Sequence, residues 1–276
     1  MNSKVHHIIY NFGELKPYIN WPYFDYAWGV GSKGRNERSR LRHEADAMLA
    51  EIDGRYSAHA LFGIFTANSD GDDILIDGVR VPMLRQQHES DARHSNLCLA
   101  DFVRPLSKGI PDQVGVFATT VDAALEKDFA TDDPYRKMMS QTLADRLAEA
   151  AAEKMHQEVR TCYWGYAPDE RLTIQQLHIE AFQGIRPAIG YPSLPDTSIN
   201  FILSDLLDMK QIGIRLTESG MMMPHASVSG LMISHPKARY FNLGIIGEDQ
   251  LRDYAARRGV PVELMRRFLS NSLIND

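Results

Sequence analysis

Cysteine is scarce in this chain: Cys98 and Cys162 are the only two among 276 residues. That excludes a disulfide-stapled scaffold. Neither has a second cysteine or a histidine at zinc-site spacing, so a reduced, cytosolic compartment is the simplest setting and both thiols are expected to be small buried side chains. Long apolar runs are missing as well. The first twenty residues carry Lys4, His6, His7, Glu14 and Lys16 with no apolar core of signal-peptide length. No later stretch approaches the roughly 20 apolar residues of a membrane-spanning helix, so a soluble cytoplasmic protein without a membrane partner is expected. Positive charge is not in excess: 30 Lys and Arg against 36 Asp and Glu leave a net charge of −6. This argues against general nucleic-acid binding while leaving room for a locally basic face. Hydrolase motifs are lacking, with neither a Gly-x-Ser-x-Gly elbow nor a His-Glu-x-x-His helix. No repeat or low-complexity linker divides the chain, which is read as an extension at 1–18 followed by one large domain at 19–276.

Periodicity and turn chemistry supply the elements. Strands are expected at 5–10, 58–66 and 114–120, and residues 74–81 read as a hairpin because Asp77-Gly78 supplies the positive φ angles of a type I′ turn. A second hairpin is expected from 226–234 and 240–246, joined through His235-Pro236-Lys237. Leu41, Ala45, Met48, Leu49 and Ile52 recur at three- and four-residue spacing and predict a helix over 37–52. The longest helix should start at Asp132-Asp133-Pro134, where an aspartate caps free amides and proline fits the first turn, and run to about residue 160. Met139, Leu143, Leu147 and Ala150 lie on its core side; Asp145, Glu149 and His156 share the opposite face. Further helices are expected at 174–182, 198–209, 248–258, ended by Gly259, and 262–269. Antiparallel strands with helices packed on them make an α+β domain built on a mainly antiparallel, twisted sheet.

Several stretches admit two readings. Residues 19–28 hold five aromatic side chains in ten positions, which must be mostly buried, either in the core or lining a cleft. Lys33, Arg35, Arg38, Arg40 and Arg42 place positive charge where a helix dipole opposes it, as a solvated face or as a dock for an acidic protein. Met221-Met222-Met223 is adaptable apolar surface, read as core. The most distinctive stretch is Gln183-Gly184-Ile185-Arg186-Pro187-Ala188-Ile189-Gly190-Tyr191-Pro192. Its prolines rule against a helix, its glycines permit positive φ and close approach, and Arg186 offers a planar fork of donors for a carboxylate or phosphate. It is either a pocket wall or a connector whose arginine pairs with a structural acid.

The run Arg186-Pro187-Ala188-Ile189-Gly190-Tyr191-Pro192 resembles the signature loop of the activation domain of cobalamin-dependent methionine synthase. Other segments agree with that family in order, among them Leu84-Arg85-Gln86-Gln87, Cys98-Leu99-Ala100-Asp101-Phe102, Ala144-Asp145-Arg146-Leu147-Ala148-Glu149-Ala150, Tyr163-Trp164-Gly165-Tyr166-Ala167-Pro168 and Ala226-Ser227-Val228-Ser229-Gly230. The similarity runs from about residue 19 to about 269. It implies a domain that binds S-adenosylmethionine and gives its methyl group to cobalamin that has been oxidised to cob(II)alamin, while a flavodoxin-like protein supplies an electron. The cobalamin is carried by a partner, the corrinoid-binding methionine synthase core. Position by position, Arg186 would hold the ligand's carboxylate. The backbone at Ala188 and the Gly190-Tyr191 turn would approach adenine and ribose, Tyr240 and Phe241 would lie against the nucleoside, and Glu149 would line the same pocket. Asp145 would engage the displaced histidine ligand of the corrinoid module. No catalytic base and no metal ligand on this chain is implied.

Two departures stand out. Asn20 occupies the place where the family has an aspartate for the ligand's α-ammonium, which replaces a charged hydrogen bond by a neutral one worth about 1 kcal/mol less. Leu194-Pro195-Asp196-Thr197 stands where the family has Cys-Pro-x-His. The sequence also carries no Asp-x-His-x-x-Gly cobalamin loop and no cysteine set for zinc. With its own Met1, it is expected to be a free-standing reactivation component acting in trans on a corrinoid-bearing core. The rival is a docking or regulatory module for a corrinoid protein that has lost S-adenosylmethionine binding, as Asn20 permits.

Overall fold

The computed structural model describes residues 5–31, 34–87, 96–129 and 133–273. Strand β1 (Val5–Tyr10) pairs antiparallel with the first half of β2 (Ala58–Asp70), from Val5↔Gly63 to Tyr10↔Ala58. The far end of β2 turns into β3 (Asp73–Ile76), which returns as β4 (Val79–Pro82) through Asp77 and Gly78 at φ 50° and 85°, the expected type I′ geometry. Strand β5 (Asp112–Val121) runs antiparallel along the other edge of β2 from Ala58↔Val121 to Ala67↔Asp112. Strands β6 (Arg215–Leu216) and β7 (Met222–Met223) make a separate two-stranded ribbon, and β8 (Ser227–Met232) adds to β5. The order β4-β3-β2-β5-β8, with β1 beside β2, is an antiparallel sheet whose alternating side chains enter two cores.

Those cores explain why the central strands read as nearly continuous apolar runs. Ala58, Ala60 and Phe62 of β2 face one side; Leu61, Phe65 and Ala67 face the other. The first side is covered by α1 (Phe12–Leu15), α2 (Trp21–Ala27), α3 (Arg35–Ile52), α4 (Ala123–Asp128) and the long α5 (Pro134–Glu158). The expected stripe of α3, Leu41 to Ile52, is buried, as are Met139, Leu143, Leu147 and Ala150 of α5; each fully buried leucine contributes about 1.5–3 kcal/mol. Asp133 caps α5, its carboxylate accepting from the Tyr135 and Arg136 amides, and a π turn, Val159–Tyr163, ends it. Beyond it come α6 (Ile174–His178) and α7 (Ile199–Leu207), the latter covering the second side through Ile199, Leu203 and Leu207. Helices α8 (Glu248–Arg258) and α9 (Val262–Phe268) enclose a third cluster with Leu243 and Ile246, and Gly259 at φ 67° closes α8 as its C-cap.

Some expectations change on contact with the structure. The hairpin partner expected at 240–246 is not a strand, because the free edge of β8 is taken by the Arg186 segment through the bridges Ile185↔Ile233 and Ala188↔Gly230. The helix expected over 174–182 ends at His178, and Glu180 follows at φ 58°. The segment up to Tyr18 supplies an edge strand, yet Tyr10, Phe12 and Leu15 share one buried cluster with Leu147, so it packs as part of the same body. In the aromatic stretch Phe24 is buried while Tyr23 and Tyr26 are exposed at 62% and 82%. Cys162 is exposed, unlike the buried Cys98, and Met221 and Met223 are exposed beside the half-buried Met222. Within the basic run, Arg35, Arg38 and Arg40 are exposed, while the Arg42 guanidinium lies 3.5 Å from the centre of the Trp21 ring and 3.6 Å from Asp25, pinning α3 to α2. Lys33 and Asp132 lie outside the described residues.

Candidate functional site

The site begins with the segment that fills the edge of β8. Ile185 and Ile233 exchange both backbone hydrogen bonds at 2.9 Å, the Leu231 amide donates to the Pro187 carbonyl at 3.0 Å, and the Ile189 amide donates to Ser229 at 2.9 Å. Proline lacks a donor, so at Pro187 only the carbonyl faces the strand. Glycine makes the approach possible: a Cβ at Gly230 would lie 2.2 Å from the Pro187 oxygen, and one at Gly184, at φ 84°, would lie 2.4 Å from the Ile233 oxygen. At the far end Gly190, φ 87°, donates to the Leu194 carbonyl at 2.8 Å and turns Tyr191 outward.

Between these anchors Arg186 is fixed from three directions. Its amide donates to the Tyr240 hydroxyl at 2.8 Å, its Nη2 pairs with Glu153 Oε2 of α5 at 3.0 Å, and its guanidinium lies 5.7 Å from the Phe117 ring centre. Burial works against its charge, but Glu153, Tyr240 and Glu149 outweigh that and raise its pKa. Its Nε and Glu153 Oε1 have no hydrogen-bond partner. Both sides of the pair therefore keep unused hydrogen-bonding capacity.

Around this pair opens a cleft of about 620 Å³. Asn20, Glu149, Arg186, Ala188, Tyr191, Tyr240 and Phe241 all line it, with Tyr18 and Tyr23 from the α1–α2 region. Gly190 sets the turn without lining the cleft. Asn20 precedes α2 and makes no side-chain cap bond to it. The Tyr191 hydroxyl donates to Glu149 Oε1 at 2.7 Å, and burial followed by the Glu149 charge raises its pKa. Tyr240 is pushed up to about 12 by burial, with Arg186 opposing. Both phenols are neutral donors at physiological pH.

Sequence reasoning missed Glu153 and Glu180. Glu153 was within reach, standing four residues after Glu149 on the same face of α5. His156 continues that face one turn further on but is covered there: its ring is fully buried, with Nδ1 2.8 Å from Arg160 Nη1 and an edge contact to Phe182, and it is pushed well below its ordinary range by burial and by Arg160. Glu180 carried no periodic signal. It is exposed at the rim of the cleft, where partial desolvation raises its pKa, Arg186 countering and Glu153 adding to the effect. With Arg146 also present, the cleft sets two guanidinium groups against three carboxylates. It is built for a ligand bearing a carboxylate, a compensating cation and a flat ring system.

Asp145 lies outside this cleft. It borders a separate groove of about 380 Å³ with Met138, Gln141 and Pro224, and its Oδ1 is 3.3 Å from Nδ1 of the exposed His225. Burial raises its pKa, opposed by His225. Among the described residues no group of three His, Cys, Asp or Glu side chains is placed to hold a metal ion, and no helix is long and apolar enough to cross a membrane.

The comparisons with known proteins agree with this geometry. Residues 11–259 match the family of the vitamin B12 dependent methionine synthase activation domain. Among solved structures, the crystal structure of the MetH reactivation domain bound to AdoHcy is 38% identical with a TM-score of 0.92, over 99% of this chain and 91% of that one. The fold, with its antiparallel sheet and packed helices, is that of the MetH reactivation domain, and the chain belongs to the activation-domain family of vitamin B12-dependent methionine synthase.

Proposed function

We propose that this protein is a reactivation component of cobalamin-dependent methionine synthase, binding S-adenosylmethionine in the Arg186 cleft and presenting its methyl group to cobalamin on a corrinoid-binding module outside these 276 residues. The observation that carries the reading is Arg186 itself, a nearly buried guanidinium with an unpartnered Nε at a cleft that also offers phenol, backbone and carboxylate groups. A solved relative with the same fold holds AdoHcy, which has the carboxylate, ammonium and nucleoside of the methyl donor.

The difficult chemistry, methyl transfer from a sulfonium to a reduced corrinoid with an electron from a flavodoxin-like donor, is supplied by the bound groups. The chain's residues position and exclude. Arg186 holds the carboxylate as a charge-assisted fork. The backbone at Ala188 and the turn at Gly190 and Tyr191 bound the nucleoside on one side, and Tyr240 and Phe241 on the other. Asn20 offers the α-ammonium a neutral acceptor. Asp145, in the groove outside the cleft, receives the partner's displaced imidazole.

Calorimetric titration with S-adenosylmethionine tests this reading: binding by the wild type that Arg186→Ala abolishes supports it. No binding by the wild type, with binding gained by Asn20→Asp, would instead favour a docking or regulatory module for a corrinoid protein that has lost the ligand.

A further inference from the structure

The charge balance at Arg186 is uneven. Its guanidinium pairs with Glu153 at 3.0 Å, while Glu149 and Glu180 line the same cleft, so the acidic side chains of the cleft outnumber its guanidinium groups. Glu153 spends only one oxygen on the pair; Oε1 is sealed from water and accepts nothing. An ionised oxygen buried without a partner is destabilising, and a ligand that brings a donor removes the penalty. Glu153 lines the cleft, and the soft last torsion of its carboxylate lets the group adjust to present an oxygen to a ligand beside Arg186. Glu149 is less suited, since its Oε1 already accepts from Tyr191.

We propose that Glu153 is the ammonium-binding carboxylate of the cleft, holding the ligand's α-amino group beside the carboxylate that Arg186 holds. The inference rests on the reading that the cleft takes an S-adenosyl amino acid, and it assigns to α5 a role that Asn20 cannot fill with charge. It also bears on selectivity. Three acidic side chains against two guanidinium groups favour a sulfonium ligand of net charge +1 over AdoHcy. The methyl donor is therefore held more tightly than its demethylated product.

The test is a cycle between ligand and protein, read by calorimetry. AdoHcy, its desamino analogue and its decarboxylated analogue are titrated into the wild type, Glu153→Gln and Asn20→Ala. In the wild type, removing the amino group should weaken binding about tenfold or more. In Glu153→Gln, AdoHcy and the desamino analogue should bind within about threefold of each other. Discrimination against the decarboxylated analogue should persist there, showing that Arg186 has stayed in place. A merely structural Glu153 would weaken all three ligands together. Amino discrimination that survives Glu153→Gln and vanishes in Asn20→Ala overturns the assignment. So does a wild type indifferent to the amino group, a result that needs no variant to fold. Wild-type protein that binds none of the three ligands would instead refute the underlying S-adenosyl reading.

Discussion

Arg186 and His156 show how a single side chain in this protein answers to its surroundings. Replacing Arg186 by lysine keeps the charge but loses the planar fork and the reach to Glu153, so the Arg186→Lys variant is expected to bind S-adenosylmethionine at least tenfold more weakly, about 1.5–3 kcal/mol. Calorimetry checks this beside a thermal melt that confirms folding. His156 makes a different prediction. Buried on α5 beside the Arg160 charge, it stays neutral well below the value near 6.5 at which the unfolded chain takes up a proton. A folded-state pKa that is lowered means the unfolded state binds the extra proton as pH falls. The stability that His156 contributes is fully present above about pH 6.5 and is lost below it, by up to about 1.4 kcal/mol per pH unit. Denaturant titrations between about pH 7.5 and 5 should show His156→Gln with a flatter profile than the wild type.

At the scale of elements, the site depends on one irregular segment occupying the edge of a regular strand. Gly230 sits where a Cβ would meet the Pro187 oxygen at 2.2 Å and the Ala188 Cα at 2.9 Å, so Gly230→Ala must push β8 and the Arg186 segment apart. The expected cost is about 1–3 kcal/mol of stability, with weakened S-adenosylmethionine binding because Arg186 and Tyr191 move with their backbone. Denaturant unfolding and calorimetry on the same variant check both. This pairing also marks where the sequence could be read and where it could not. The type I′ hairpin, the stripes of α3 and α5 and the Gly259 cap are local, set by turn chemistry or period, and were legible. The Arg186 loop was legible as non-helical from its prolines. That it would take the edge of β8 was not, because 226–234 and 240–246 both have strand composition and only the packing of residues far apart in sequence decides which segment pairs. The position of Glu153 beside Glu149 on α5 was open to the same reading, but its pairing with Arg186, 33 residues downstream, was not. Resemblance picked out most of the cleft-lining residues that no periodicity marks.

For the molecule as a whole, the proposed ligand site and the proposed partner contact lie in two separate openings. The larger cleft gathers Arg186, Glu153 and the aromatic residues, while Asp145 stands in a second groove, about one turn of α5 from Glu149. Ligand binding and partner engagement should therefore separate under mutation. With a corrinoid-bearing methionine synthase core loaded with cob(II)alamin, S-adenosylmethionine and a reduced flavodoxin-like donor, the protein added in trans is expected to convert the cob(II)alamin spectrum to that of methylcobalamin. Asp145→Ala should slow that conversion about tenfold or more, since a charge-assisted hydrogen bond to the displaced imidazole is lost, while calorimetry finds its S-adenosylmethionine affinity unchanged. Arg186→Ala should lose both. If Asp145→Ala weakens the ligand as much as it slows the conversion, the two openings act as one site and the division fails. If the wild type binds the ligand but never converts the corrinoid, action in trans is refuted while the cleft's assignment stands.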